Sequence, residues 1–363
     1  MAEQYTHKPI MVNEIMSFFP GGSNLTVVDC TAGEGGHSRE FASVMTDGKL
    51  VLVDRDEEML SISRKRISDL VIETGNKVKL YASENNFANL NDVLDEFDIG
   101  GVDFILCDLG ISMYHYKESK RGFSFEDNDS LDMRLDKGIA ITASDIVNTY
   151  EEEAIRKIIF AYGEENRARQ IARNIVWERK KQAIQSAYHL QKVISKAFPP
   201  KKHGEKINPA TKTFQALRIY VNQEFSHLEH GLIAGIERLR PGGRLGVISF
   251  HSLEDRLVKR IFRYFSSECV CPTEFPVCQC SGYPVIKSLT KKPIEPKISE
   301  KESNPSSRSA KLRVVEKLYE TKKDTWETFK SSYQRSREVS RSQNILSDST
   351  YHKSGLIHGV AKH

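Results

Sequence analysis

Short apolar runs alternate with amphipathic stretches through the first hundred or so residues. Leu25–Cys30 is a β-branched run that closes on a glycine-rich turn, and Lys49–Asp54, Val78–Ala82 and Val102–Asp108 repeat the pattern. Between them, Ser38–Met45 and Glu57–Thr74 carry helical spacing. Nearly continuous apolar strands separated by helices predict a parallel sheet covered on both faces. After Asp108 the alternation stops. Residues 113–138 read as polar loop, Ala143 to about Ala197 as several helices, and Thr213–Leu239 as one long amphipathic helix. Arg240-Pro-Gly-Gly then turns into a fifth strand, Arg244–Phe250, so the alternation resumes.

This pattern predicts an α/β fold, a Rossmann-like doubly wound sheet built from 1–112 and 208–320. A mostly helical domain is inserted at 113–207. Lys311–Glu316 is expected as a closing edge strand, and 321–363 offers so little apolar material that a disordered tail is expected.

Charge sharpens the division. Residues 1–156 hold 15 Lys/Arg against 29 Asp/Glu, a net of −14, whereas 157–218 hold 14 against 4, a net of +10. Residues 287–341 add 15 against 8. Basic zones on an acidic body suit a polyanion held at particular surfaces, because cations bind phosphates by releasing counterions; a solvated helical surface is the alternative. In the insert, Arg167, Arg169, Arg173, Arg179, Lys180, Lys181, Lys201, Lys202 and Lys206 are the candidate phosphate partners. No apolar run approaches the roughly 20 residues that cross a bilayer, and the N-terminus lacks a signal-peptide layout, so a cytoplasmic location without membrane contact is expected.

The candidate chemistry gathers where the strands end. Asp29-Cys-Thr-Ala-Gly33-Glu-Gly35-Gly36-His37 joins the first strand to a helix. It lacks the G-x-G-x-x-G spacing that seats a pyrophosphate, and it opens with a carboxylate suited to a cationic group. Both features favour S-adenosylmethionine over a dinucleotide. Asp54 ends the second strand about twenty residues after the glycines, where a carboxylate can accept from ribose hydroxyls; Asp56 is an alternative, and so is a helix-capping role. Phe87, after the third strand, offers an aromatic face for adenine or, equally, a core side chain.

Six cysteines do not suggest a disulfide scaffold. Cys30 and Cys107 end strands and read as core. Cys269, Cys271, Cys278 and Cys280 form paired C-x-C units that can build a structural zinc site. That spacing is tighter than the usual C-x2-C, so unmetallated cysteines in a surface loop are the preferred reading, and no catalytic metal is expected.

Gly33-Glu-Gly-Gly-His-Ser, Asp54-Arg-Asp, Asp108-Leu-Gly-Ile-Ser, Arg121-Gly-Phe-Ser-Phe and Leu131-Asp-Met-Arg follow in order. Tyr162-Gly-Glu-Glu, Pro209-Ala-Thr-Lys-Thr-Phe-Gln-Ala, Ile248-Ser-Phe-His-Ser-Leu-Glu-Asp-Arg and Arg308-Ser-Ala-Lys-Leu-Arg complete the set. From about His7 to Lys317 the chain resembles the RsmH (MraW) family of 16S rRNA cytosine-N4 methyltransferases. The resemblance implies a class I S-adenosylmethionine methyltransferase with cofactor contacts at Gly33, Gly35, Gly36, His37, Asp54, Phe87, Asp108 and His115. The chain departs from the family at His115, where a glutamine is usual, and at Ser130, where proline is usual.

The implied reaction needs an acceptor for the cytosine amine protons, and Asp108 is the candidate catalytic residue. Thr213, Gln215, Arg218, Asn222 and His251 are the candidate substrate contacts, with capping or core hydrogen bonding as the alternative for each. The implied partner is 16S rRNA, in an assembled or nearly assembled small subunit. Rival readings are a methyltransferase acting on DNA or protein amines and a non-catalytic ribosome-assembly factor.

Overall fold

A computed structural model describes residues 8–110, 116, 119–124, 130–199, 208–269 and 284–343. The chain divides into two compact units, Met1–Gly110 with Phe225–His363, and Ile111–Glu224.

In the first unit, helix α1 (Val12–Met16) precedes β1 (Thr26–Asp29), α2 (Gly36–Val44), β2 (Asp47–Asp54), α3 (Glu57–Thr74), β3 (Lys77–Glu84), α4 (Leu90–Glu96) and β4 (Val102–Asp108). The second unit supplies α5 (Ala143–Thr149), α6 (Glu152–Gly163), α7 (Ala168–Arg179), α8 (Ala187–Ser195) and α9 (Thr211–Val221). The first unit resumes with α10 (Glu224–Arg238), β5 (Leu239–Ser249), α11 (Ser252–Phe265) and β6 (Ile286–Ser288). It ends with α12 (Ile298–Ser303), β7 (Lys311–Lys317) and α13 (Lys323–Gln343).

The strands lie in the order β3-β2-β1-β4-β5-β7-β6. β1 pairs in parallel with both β2 and β4, and β7 runs antiparallel to β5 and β6. This is the α/β doubly wound sheet expected from the sequence. Alternation along each strand splits the core into two layers. Val27, Leu50, Leu52, Phe104 and Leu106 pack with Phe41 of α2 and Ile67 of α3. Val28, Val51, Val53, Ile105 and Val247 pack with Leu232 of α10 and Val258 of α11.

Three expectations need correcting. The helix expected over Thr213–Leu239 is two helices, broken where Gln223 takes a left-handed φ of 48°. Asn222 causes the break: its Oδ1 accepts from Leu135 N at 2.8 Å and its Nδ2 donates to Met133 O at 2.7 Å. The strand Lys311–Lys317 is not an edge, because the three-residue β6 lies outside it. The disordered tail expected from 321 is instead helical over Lys323–Gln343. Trp326, Phe329 and Tyr333 recur at helical spacing and pack into the layer beside α10 and α11. Trp326 stacks on Phe265 with centroids 5.4 Å apart, and Arg337 pairs with the buried Glu229. Residues 344–363 lie outside the described residues.

Candidate active site

The sheet order places β1 between β2 and β4. The chain winds from β1 out to β3 on one side and crosses back to β4 on the other, a switch point that opens a crevice at the carboxyl ends of these strands. Each of the three strands ends in an aspartate: Asp29, Asp54 and Asp108. Clustered carboxylates repel one another, so their hydrogen bonds decide what the crevice tolerates.

Asp29 is 1% exposed. It accepts from Ser38 Oγ at 2.6 Å and from Thr31 N at 3.2 Å. Burial raises its pKa despite the nearby His37 and these two bonds. Asp54 holds the glycine loop: Oδ2 accepts from Gly33 N at 2.7 Å and Oδ1 from Asp56 N at 3.0 Å. Asp56 caps α3 through Glu58 N and Met59 N, which commits it to the helix rather than to a ligand.

The glycines divide by what surrounds them. Gly33 has a φ of 51°, and a Cβ there would meet nothing nearer than 3.9 Å. A Cβ on Gly35, whose φ is 81°, would lie 3.0 Å from Ser63, and one on Gly36 would lie 3.1 Å from Pro9. Gly33 therefore leaves open space beside the loop, while Gly35 and Gly36 let helices α2 and α3 and the N-terminal segment close behind it.

Asp108 is held from three sides. Its N–H donates to Thr31 Oγ1 at 2.8 Å, its Oδ1 accepts from Gly110 N at 3.1 Å, and its Oδ2 lies 3.8 Å from His37 Nδ1. The other nitrogen of His37 sits 2.9 Å from Ile10 O. His37 thus bridges the N-terminal segment to the strand end. Phe87 is 8% exposed with its ring against Gly231, so most of it is core. His115 lies outside the described residues, as do Cys271, Cys278 and Cys280; Cys269 is exposed.

A fit to S-adenosylmethionine follows from the donor set. The partly exposed carboxylates of Asp54 and Asp108 and an open glycine backbone suit a ligand with a cationic methionine end and a hydroxyl-bearing ribose. A pyrophosphate would meet repulsion instead.

Four of the five expected substrate residues fall in the second unit, on or next to α9. Asn222 is consumed by the 133–135 backbone, and Arg218 forms a bidentate pair with Glu224 at 2.8 and 2.9 Å. Thr213 is buried, and its hydroxyl has no partner among the described residues. Gln215 is half-buried and makes one long bond, Nε2 to Tyr162 O at 3.3 Å. His251, in the first unit, caps α11; its Nδ1 accepts from Glu254 N at 3.4 Å and its Nε2 lies 3.0 Å from Glu254 Oε1. Sequence reasoning left Thr31 and Ser38 out of the site, although the hydroxyl-rich turn after Asp29 was the available signal.

Residues 4–318 match the MraW methylase family. Ribosomal RNA small subunit methyltransferase H of Finegoldia magna is 43% identical over 316 residues, spanning 87% of this chain and 99% of that protein. The proteins of the same name from Brevibacillus brevis and Desulforapulum autotrophicum are each 42% identical. Each match spans 86% of this chain, with 98% and 99% of those proteins covered. On a match that runs through the crevice, the helical unit and β7 alike, the chain belongs to the MraW methylase family.

Proposed function

We propose that this protein transfers a methyl group from S-adenosylmethionine to the exocyclic N4 amine of a cytidine in 16S rRNA, within an assembled or nearly assembled small subunit. The names of the relatives support the substrate class. The observation that carries the chemistry is the Asp108 carboxylate at the switch-point end of β4, with Oδ1 held by Gly110 N.

S-adenosylmethionine supplies an electrophilic methyl group on a sulfonium. The cytosine amine is a weak nucleophile, because its lone pair is delocalised into the ring. An acceptor beside the amine draws on its protons as the lone pair turns outward. Asp108 Oδ2, or a carbonyl of its loop, fills that role, while the Gly110 N–H holds Oδ1 and Thr31 holds the Asp108 backbone. Asp54 holds the glycine loop and accepts from ribose hydroxyls. Gln215 is the substrate contact least committed elsewhere. Methylation at carbon 5 would require a thiolate nucleophile. Cys107 is buried, and the bond to Cys107 together with burial pushes the Cys30 thiol well up, so nitrogen is the better-supported target.

Small subunits from cells lacking the gene, incubated with the protein and a trideuteromethyl donor, test this by nucleoside mass spectrometry. The label is expected on N4 of a cytidine. Label on carbon 5, or only on naked DNA or protein, overturns the proposal.

A further inference from the structure

The second unit exposes two aromatic rings, Trp177 at 55% and Tyr188 at 42%. Each lies under a lysine. Lys181 Nζ is 3.1 Å from the Trp177 ring centroid and Lys192 Nζ is 4.2 Å from that of Tyr188. Along α7 the exposed positions Arg169, Arg173 and Trp177 recur one turn apart, and Tyr188, Lys192 and Lys196 do the same along α8 and just past it. Glu178 ties the two stripes together, accepting from Lys196 Nζ at 2.7 Å with His189 Nε2 at 3.4 Å. Those neighbours hold its carboxyl below the usual range. Glu178 is the one acid in 167–198, against eight Lys/Arg.

Rings interleaved with cations at single-turn spacing are poorly suited to an apolar protein face, where the rings would adjoin one another. They are well suited to a strand of unpaired nucleotides, which offers a flat base and a phosphate at each step. A duplex hides its bases and would use the lysines alone.

We infer that this face binds a single-stranded RNA segment, stacking bases on Trp177 and Tyr188 and holding phosphates with Lys181, Lys192, Lys196 and Arg173. An exposed cation–ring contact is weaker than base stacking on the same ring. A base therefore displaces the ammonium, which then meets the adjoining phosphate. The inference rests on the rRNA reading above, but not on the methyl-transfer crevice.

The chain has two tryptophans, and Trp326 is 1% exposed, so Trp177 reports on this surface. The full-length protein is titrated with a single-stranded RNA of about 12 nucleotides and, separately, with a duplex of equal length, reading tryptophan emission. Quenching is expected with the single strand only, and Trp177→Phe abolishes it while keeping most of the affinity. Trp177→Ala weakens single-strand binding at least about fivefold and leaves duplex binding and thermal unfolding as in the parent. Absence of quenching, equal quenching by the duplex, or parental single-strand affinity in Trp177→Ala overturns the inference. Quenching without methylated nucleoside would sink the proposed reaction and leave this surface standing. Methylation without quenching would do the reverse.

Discussion

The two tryptophans of this chain meet the same kind of neighbour and come to opposite ends. In the first unit, Trp326 is buried with Lys317 Nζ 5.0 Å from its ring, and that ammonium donates to Ile236 O at 2.6 Å. In the second, Trp177 stands in solvent with Lys181 over it. The first pair is committed to the fold, whereas the second keeps a ring face and an ammonium that a partner can take. Burial, rather than residue type, separates a structural pair from a recognition pair. Among the carboxylates, Asp56 caps helix α3 while Asp54 holds the glycine loop through Gly33 N.

The comparison breaks most readily at the rings. Trp326→Ala should cost about 3–5 kcal/mol of stability in urea unfolding, because it empties a filled core site. Trp177→Ala should stay within about 0.5 kcal/mol of the parent. Similar costs for both would end the distinction.

The lysines give the next effect. Burial pushes the pKa of Lys317 down to about 8 from an ordinary 10.5. Between those values the unfolded chain binds the proton that the folded chain has released, so stability rises with pH across the window, by about 3 kcal/mol in all. Unfolding at about pH 7.5 and about pH 10 should show that rise in the parent and a flatter profile in Lys317→Met. Lys181→Met should keep the parental profile. A rise that survives in Lys317→Met would assign it to another group.

Smallest is the salt effect at the exposed face. Replacing Lys180 and Lys181 with Gln should lower the slope of log affinity for single-stranded RNA against log salt by about 0.7 per lysine. An unchanged slope would move the phosphate contacts off this face.

Much of this was legible in the chain, for reasons that differ by element. Strands β1, β2 and β4 are dense in Val, Ile and Leu because both faces of the sheet are covered, and such runs show in any window. The acids that end them, with Gly33 between, could be read as a candidate site from spacing alone. The break between α9 and α10 could not, since the apolar rhythm runs through it and the cause is Asn222 reaching residues 87 and 89 positions earlier in the chain. Helix α13 was hidden by its composition: three aromatics that pack into the core stand in a stretch otherwise rich in Lys, Arg, Ser and Glu. At three residues, β6 is too short for periodicity to register. Gly35 and Gly36 looked like ligand glycines, yet packing against Ser63 and Pro9 already requires them.

The account depends above all on the carboxylate at the end of β2 gripping an adenosyl ligand beside the open face of Gly33. Isothermal titration of S-adenosylmethionine into the parent and into Asp54→Ala measures this directly. Saturable one-site binding is predicted for the parent, weakened in the variant by about 1–3 kcal/mol as hydroxyls lose their acceptor. Equal affinity in both, or no binding heat in the parent, would contradict it.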